Sequence, residues 1–359
     1  MAKKKSKLKI AQENAEAAMG RTNEKINELG IHTGSLYDSL TAIQNLFDEI
    51  RNVPTEKKLQ YEELKNVCLN WKQQAEKIDT DYKNSVAKNA GGGAAGVGVG
   101  VAVAALGPTA AMGIATTFGV ASTGTAISTL SGAAATNAAL AWLGGGAVWA
   151  GGGGMVAGKA LLALAGPIGW AIAGVAILSS GLMFWKAHSD KERLENVFTL
   201  VAERDVKSYE LAIVELNERI IRIKKESAQL TEAIAKIKIF GTDYSQMTEE
   251  QQYSLGAYLN LMGSSTQLLI NPILGLQAKF TEEDLTNFIG AKKCKVEKKD
   301  IVIFLANMFY KIPVDEKDKK LVWKSFGKNK KMLEALDIKK DDFEFSIFET
   351  AFDAIGFKG

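Results

Sequence analysis

The pattern closest to a chemical site runs from Gly153 to Lys159, inside GGGGMVAGKALL at 151–162, and reads G-x-x-x-x-G-K. A phosphate-binding loop of this kind uses glycines for close backbone approach, the lysine for phosphate oxygens, and a following Ser or Thr for Mg²⁺. Here Ala160 follows the lysine. The preceding LAWLGGGAVWA is not a clear strand, and no apolar run ending in Asp lies before Trp185 to hold a metal. Nucleotide hydrolysis is therefore set aside. His32 and His188 have no cysteine or carboxylate neighbours at metal-ligand spacing. The motifs G-x-S-x-G, H-E-x-x-H and C-x-x-C do not occur. These residues predict no enzyme, no metal and no cofactor.

A second group of residues has chemistry to offer. Between 291 and 340 stand 15 lysines, 7 acidic residues and no arginine. Lys292, Lys293, Lys295, Lys298 and Lys299 form one cluster; Lys317, Lys319, Lys320, Lys324, Lys328, Lys330 and Lys331 form another. Phe304, Phe309, Tyr310, Trp323 and Phe326 are interleaved with them. That combination suits an anion: a nucleotide or oligonucleotide signal, a nucleic acid, or lipid headgroups. A solvated lysine-rich surface is the plain alternative. The lack of arginine argues against base-edge recognition, because arginine is the bidentate reader.

The elements that must position these residues follow from charge and period. Residues 89–185 contain one charged residue, Lys159, and 23 of the 34 glycines, while both flanks are dense in charge. Two windows, about 96–121 and 160–185, exceed the ~20 apolar residues that cross a hydrocarbon core. Packing positions in these spans are Gly92, Gly96 and Gly100 at G-x-x-x-G spacing, Pro108 and Pro167 as mid-span kinks, and Trp170 and Trp185. Lys88, Lys159, Lys186 and Arg193 fall at membrane interfaces, and the basic flanks keep both ends on the cytoplasmic side. An apolar hairpin results, inserted or sheltered at rest. In an oligomer, Thr116, Thr117, Ser122, Thr125, Ser128 and Thr129 would line a pore.

The flanks read as helices. Leu36, Leu40, Ile43, Phe47 and Ile50 repeat at 4 and 3, with Ser35 and Asp38 as a weak capping box. His32 falls in a helix–helix turn before it. Pro54 ends this helix and Thr55 starts the next, whose stripe is Leu64, Val67, Trp71, Ala75, Ile78 and Tyr82. A long helix from Ser189 to about Phe240 carries a seam from Tyr209 to Ile237, with Gly241 as its stop. Its expected partners are the Leu36 and Leu64 helices in an antiparallel bundle, or a second copy of the chain. Thr248 with Gln251, and Thr281, cap later helices, and KVEKKDIVIF is open between helix and strand. The division is 1–88 N-terminal bundle helices, 89–185 apolar hairpin, 186–241 long heptad helix, and 242–359 a small, mostly helical basic C-terminal domain. The fold class is all-α, an elongated helical bundle or coiled coil with an apolar hairpin.

Charged long helices around one Gly/Ala-rich apolar hairpin resemble the cytolysin A type of α-helical pore-forming toxin, over about residues 33–240. TGTAISTLSGAAATNAALAWLGGGAVWAGGGGMVAG is also similar to apolar segments of bacterial proteins, some in anti-phage defence loci, and the layout with a separate regulatory domain resembles a membrane effector of the Hailong kind. The resemblance implies oligomerisation and membrane permeabilisation, with a signal or partner acting at a separate regulatory domain. Two distant cysteines, Cys68 and Cys294, fit a reducing cytosol. The lysines of MAKKKSKLKI are followed by no apolar signal-peptide core. The expectation is a homo-oligomeric effector that depolarises the bacterial inner membrane from its cytoplasmic side. A released pore-forming toxin and a non-conducting membrane-anchored scaffold are the alternatives.

Overall fold

The computed structural model describes residues 6–90, 108–118, 188–328, 333 and 343–359. Those residues are all-helical: α1 (Lys7–Glu49), α2 (Thr55–Ala90), α3 (Pro108–Phe118), α4 (His188–Ile237), α5 (Glu249–Ile270), α6 (Glu282–Lys292), α7 (Lys299–Phe309), α8 (Glu316–Lys328) and α9 (Phe345–Lys358). The KVEKKDIVIF stretch resolves to helix, in α7. Thr248 and Gln251 form a reciprocal capping box at α5, and Thr281 and Asp284 another at α6. The long helix ends at Ile237, short of the expected Phe240, and Gly241 turns the chain after it with φ +82°, a backbone that glycine adopts without strain.

The first helix differs from expectation. It begins at a Ser6 cap and runs unbroken through Gly30, His32 and Gly34 to Glu49. Ser35 is no cap; its hydroxyl donates back to the Ile31 carbonyl at 3.3 Å, and His32 lies mid-helix rather than in a turn. Gly30 lies where the backbone of another helix packs on it, and Gly34 meets the Met112 side chain, as the next subsection describes.

α4 is 50 residues long, roughly 75 Å at the α-helical rise. Its partners lie in the same chain, but the bundle is not uniformly antiparallel. Ala11 and Ala15 cluster with Ala202, Glu28 pairs with Lys224 at 3.7 Å, and the backbones at Arg51 and Asp243 form a parallel bridge. Both members of each contact advance together, so α1 and α4 run parallel. α2 returns antiparallel after the elbow at Asn52. α5 descends along α4, with Ser265 bonded to Glu226 at 2.6 Å and Arg219 donating to the carbonyls of Leu268 and Asn271 at 2.7 and 2.8 Å.

Two hydrophobic cores result. The first joins α1, α2, α3 and α5 to α4 from Tyr209 onward, around Trp71, Leu36, Leu40 and Leu216. The second gathers α6 to α9 around Leu194, Val197, Phe198 and Val201 of the same α4, with Leu8 of α1. Phe309 and Phe326 pack on Phe348 at 6.3 and 5.6 Å between ring centres, and Phe304 is also buried. These rings, interleaved with lysines in sequence, face inward; they are core and not a stacking platform for bases.

Asn307 closes the second core. Its Oδ1 accepts from the Lys279 and Phe280 amides at 2.7 and 2.9 Å, and its Nδ2 donates to Phe280 O at 2.6 Å. Asn307→Ala would leave those three backbone groups without partners. The expected loss is on the order of 3 kcal/mol, read as a lower urea midpoint with an unchanged m-value. A midpoint within experimental error of the wild type would contradict this assignment.

Candidate functional site

The described part of the apolar block is α3, and it is lodged inside the first core. Ala110, Ala111, Ile114, Ala115, Thr116 and Thr117 are all buried. A helix that is apolar on nearly every side has no solvent face and must be enclosed. Here the enclosure comes from α1, α2 and α5.

Backbone meets backbone at the α1–α3 contact. A Cβ built on Gly30 would lie 1.7 Å from Thr109 O, and one on Gly113 would lie 2.1 Å from Ile26 O. Gly34, one turn beyond Gly30, faces the Met112 sulfur. The small-residue spacing sought at Gly92, Gly96 and Gly100 is thus used in α1, at Gly30 and Gly34. Such spacing lets helix axes approach closely. ELGIHTGS, which holds both glycines, is helix throughout and not the helix–helix turn expected at His32.

The end of α3 is tied to the segment after α5. Thr117 O accepts from Ile273 N at 2.8 Å, while the Thr117 hydroxyl donates to Gly113 O at 2.7 Å. Gly275 packs on the Ala212 backbone of α4. Thr116 Oγ1 is buried with no hydrogen-bond partner among the described residues. A buried hydroxyl left so costs roughly 1–3 kcal/mol.

Pro108 is the first residue of α3 and not a mid-span kink. Its missing N–H and fixed φ suit that position. Thr116 and Thr117 face the interior of this bundle. Arg193, expected at a membrane interface, instead joins the start of α4 to α8. Its Nε donates to Asp318 at 2.8 Å, a second nitrogen reaches Asp315, and Lys317 pairs with Asp190 at 3.0 Å. Hydrogen bonding from Arg193 holds the Asp315 carboxyl below the usual carboxylate range. Exposed pairs of this kind are worth little individually and weaken with salt. The latch closes where the apolar block rejoins charged chain.

The two lysine clusters separate. Lys292, Lys293, Lys295, Lys298 and Lys299 are exposed and in no ion pair among the described residues. Lys293 and Lys298 both take left-handed backbone at φ 51°, and Cys294 and Val296 between them pack against the second core. The alternation turns the lysines outward. In the other cluster, Lys317 pairs with Asp190 and Lys319 with Glu316. Lys320, Lys324 and Lys328 are exposed. Lys88 lies in α2.

Gly92, Gly96, Gly100, Ser122, Thr125, Ser128, Thr129, Lys159, Pro167, Trp170, Trp185, Lys186, Lys330 and Lys331 lie outside the described residues. So does the G-x-x-x-x-G-K run. Among the described residues, no helix is long and apolar enough to cross a membrane, and no group of three or more His, Cys, Asp or Glu is placed to hold a metal ion. No protein-family model, curated protein or solved structure matches this chain.

The glycine contact makes a prediction of opposite signs within one helix. Gly20 has open space around its Cβ position, so Gly20→Ala should stabilise by about 0.5–1 kcal/mol through helix propensity. Gly30→Ala forces two backbones apart and should destabilise. Thermal melts of the two variants check this; equal shifts would remove the backbone contact.

Proposed function

We propose that this chain is a membrane-permeabilising effector that stores part of its apolar block inside its own helical bundle. On release, the block from 89 to 185 enters the cytoplasmic face of a bacterial inner membrane as an apolar hairpin. Copies of the chain assemble through the long helices, and Thr- and Ser-bearing faces line the path for ions. The basic C-terminal region receives the trigger, an anionic signal or a regulatory protein.

The observation that carries this reading is the lodging of α3. Its sequence comes from the least charged part of the chain, and its closest contact is the Gly30–Gly113 crossing, with small alanines around Ile114 and Met112. Small residues bury little area, and apolar burial stabilises by about 25 cal/mol per Å². Gly–Ala packing is therefore a light grip compared with a leucine seam. The Thr116 hydroxyl, with no partner among the described residues, weakens it further. An element sheltered by such contacts is suited to leaving. The Arg193 latch adds a place where the C-terminal region could govern that exit.

Two measurements test the reading. Gly34 and Met112 meet across the α1–α3 contact, so Gly34→Cys with Met112→Cys, in a Cys294→Ser background, can tether α3 to α1. Dye release from anionic vesicles should stop when the tether is oxidised and return with reductant. Leakage that ignores the tether would rule out release of α3, and a wild-type chain that never leaks would point to the scaffold. Separately, the five exposed lysines from Lys292 to Lys299 should bind short oligonucleotides with steep salt dependence. No binding at low salt would take that ligand class away.

A further inference from the structure

The elbow between α1 and α2 encloses a cleft that the membrane reading does not use. Its volume is about 410 Å³, within the roughly 300–1,000 Å³ of small-molecule pockets. The cleft is braced by backbone. Asn52 takes left-handed φ 59° and its amide donates to Asp243 at 3.0 Å. Arg51 N donates to Thr242 O at 2.9 Å, and Tyr244 N donates to Arg51 O at 3.0 Å. These bonds pin the α1–α2 turn to the α4–α5 link.

The walls are flat and the mouth is basic. Phe47 and Tyr61 stack with ring centres 5.6 Å apart and planes 20° apart. Tyr244 also lines the cleft, its hydroxyl accepting from Lys57 at 3.0 Å. Leu255 and Leu259 of α5 supply apolar surface. Of the charged groups, Asp48 is occupied by the Tyr61 hydroxyl at 2.6 Å and Lys65 at 2.7 Å. Asp243 accepts from Asn52 and Ser245. Arg51 and Lys58 stand exposed at the mouth in no ion pair among the described residues; Glu62 and the Lys65-paired Asp48 are the carboxylates of the lining, and Arg51 also acts on the nearby Asp243.

We infer that this cleft binds a small aromatic anion. The flat ring system lies along the Phe47–Tyr61 wall, and the anionic group meets Arg51 and Lys58. Aromatic faces favour stacked or edge contacts with a planar guest, and charge-assisted bonds orient it. The occupant touches α1, α2, the Tyr244 turn and α5 together. Because α1, α2 and α5 also enclose α3, a bound guest braces the shelter shut. That second effect rests on the proposed function; the binding does not.

The test uses the full chain and anilinonaphthalene sulfonate, a flat ring system with one negative group. Fluorescence titration should show a saturable site. Arg51→Gln with Lys58→Gln should weaken it about tenfold and flatten its salt dependence. Leu259→Trp should fill the cleft and remove the site. The Arg51/Lys58 pair is exposed, so its melting point should stay near wild type and separate lost binding from lost fold. Equal affinity in the Arg51/Lys58 variant overturns the site. Displacement by decyl sulfate but not by adenosine monophosphate overturns the choice of a flat guest. Amide exchange over Pro108–Phe118 should slow with the probe bound, and unchanged exchange removes the bracing whether or not the chain permeabilises vesicles.

Discussion

The parallel pairing of α1 with α4 is the constraint from which the rest of the structure follows. Two parallel helices cannot be joined by a short turn, because the chain must first travel back to the starting end. α2 makes that return. It delivers the chain to the end where α4 begins, and there the apolar block departs and rejoins. Both flanks of the block therefore sit toward one end of the bundle, and the elbow with its cleft sits at the other. The seam that holds the pair is long and made of ordinary leucine, isoleucine and alanine contacts, so it forms a stable frame. The light contacts are kept for what is mounted on it.

α3 shows how the same hydrophobic effect can hold an element strongly or weakly. A leucine seam buries large side chains; the Gly30–Gly113 crossing buries almost none and gains its closeness from their absence. Close backbone approach brings dispersion contacts that are individually small. Geometry is therefore demanding while the energy is modest. A helix held in this way is specific in position.

The legible parts of the fold were those in which a local rule and tertiary packing agree. Thr248 with Gln251, Thr281, the start of α2 at Thr55 and most of the Tyr209–Ile237 seam each carried their own signal and stand in the structure, while α1 ends at Glu49, ahead of the expected stop at Pro54. His32 falls mid-helix and not in the expected turn, because Gly30 and Gly34 on either side of it are used where α3 packs on α1. Only the arrival of α3 makes them a helix face. Orientation was hidden too, since a heptad stripe is the same whether its partner runs parallel or antiparallel. Phe304, Phe309 and Phe326 among the lysines follow the same logic: composition put them beside cations, while helical period turned them inward. The elbow cleft could not be read at all, because its walls come from four separated segments.

α4 belongs to both cores, and this has a consequence for how the molecule comes apart. Its first turns pack on Phe326 and the C-terminal helices, while its later turns carry the seam with α1. Arg204 sits between these stretches, donating to the carbonyls of Asn307, Met308 and Tyr310 while bonded to the Asp205 carboxylate. One continuous ladder of backbone hydrogen bonds thus passes through two packing environments. Fraying at either end removes support from the other. The rod works as a mechanical linkage, and the melting of the two cores becomes a shared, cooperative event.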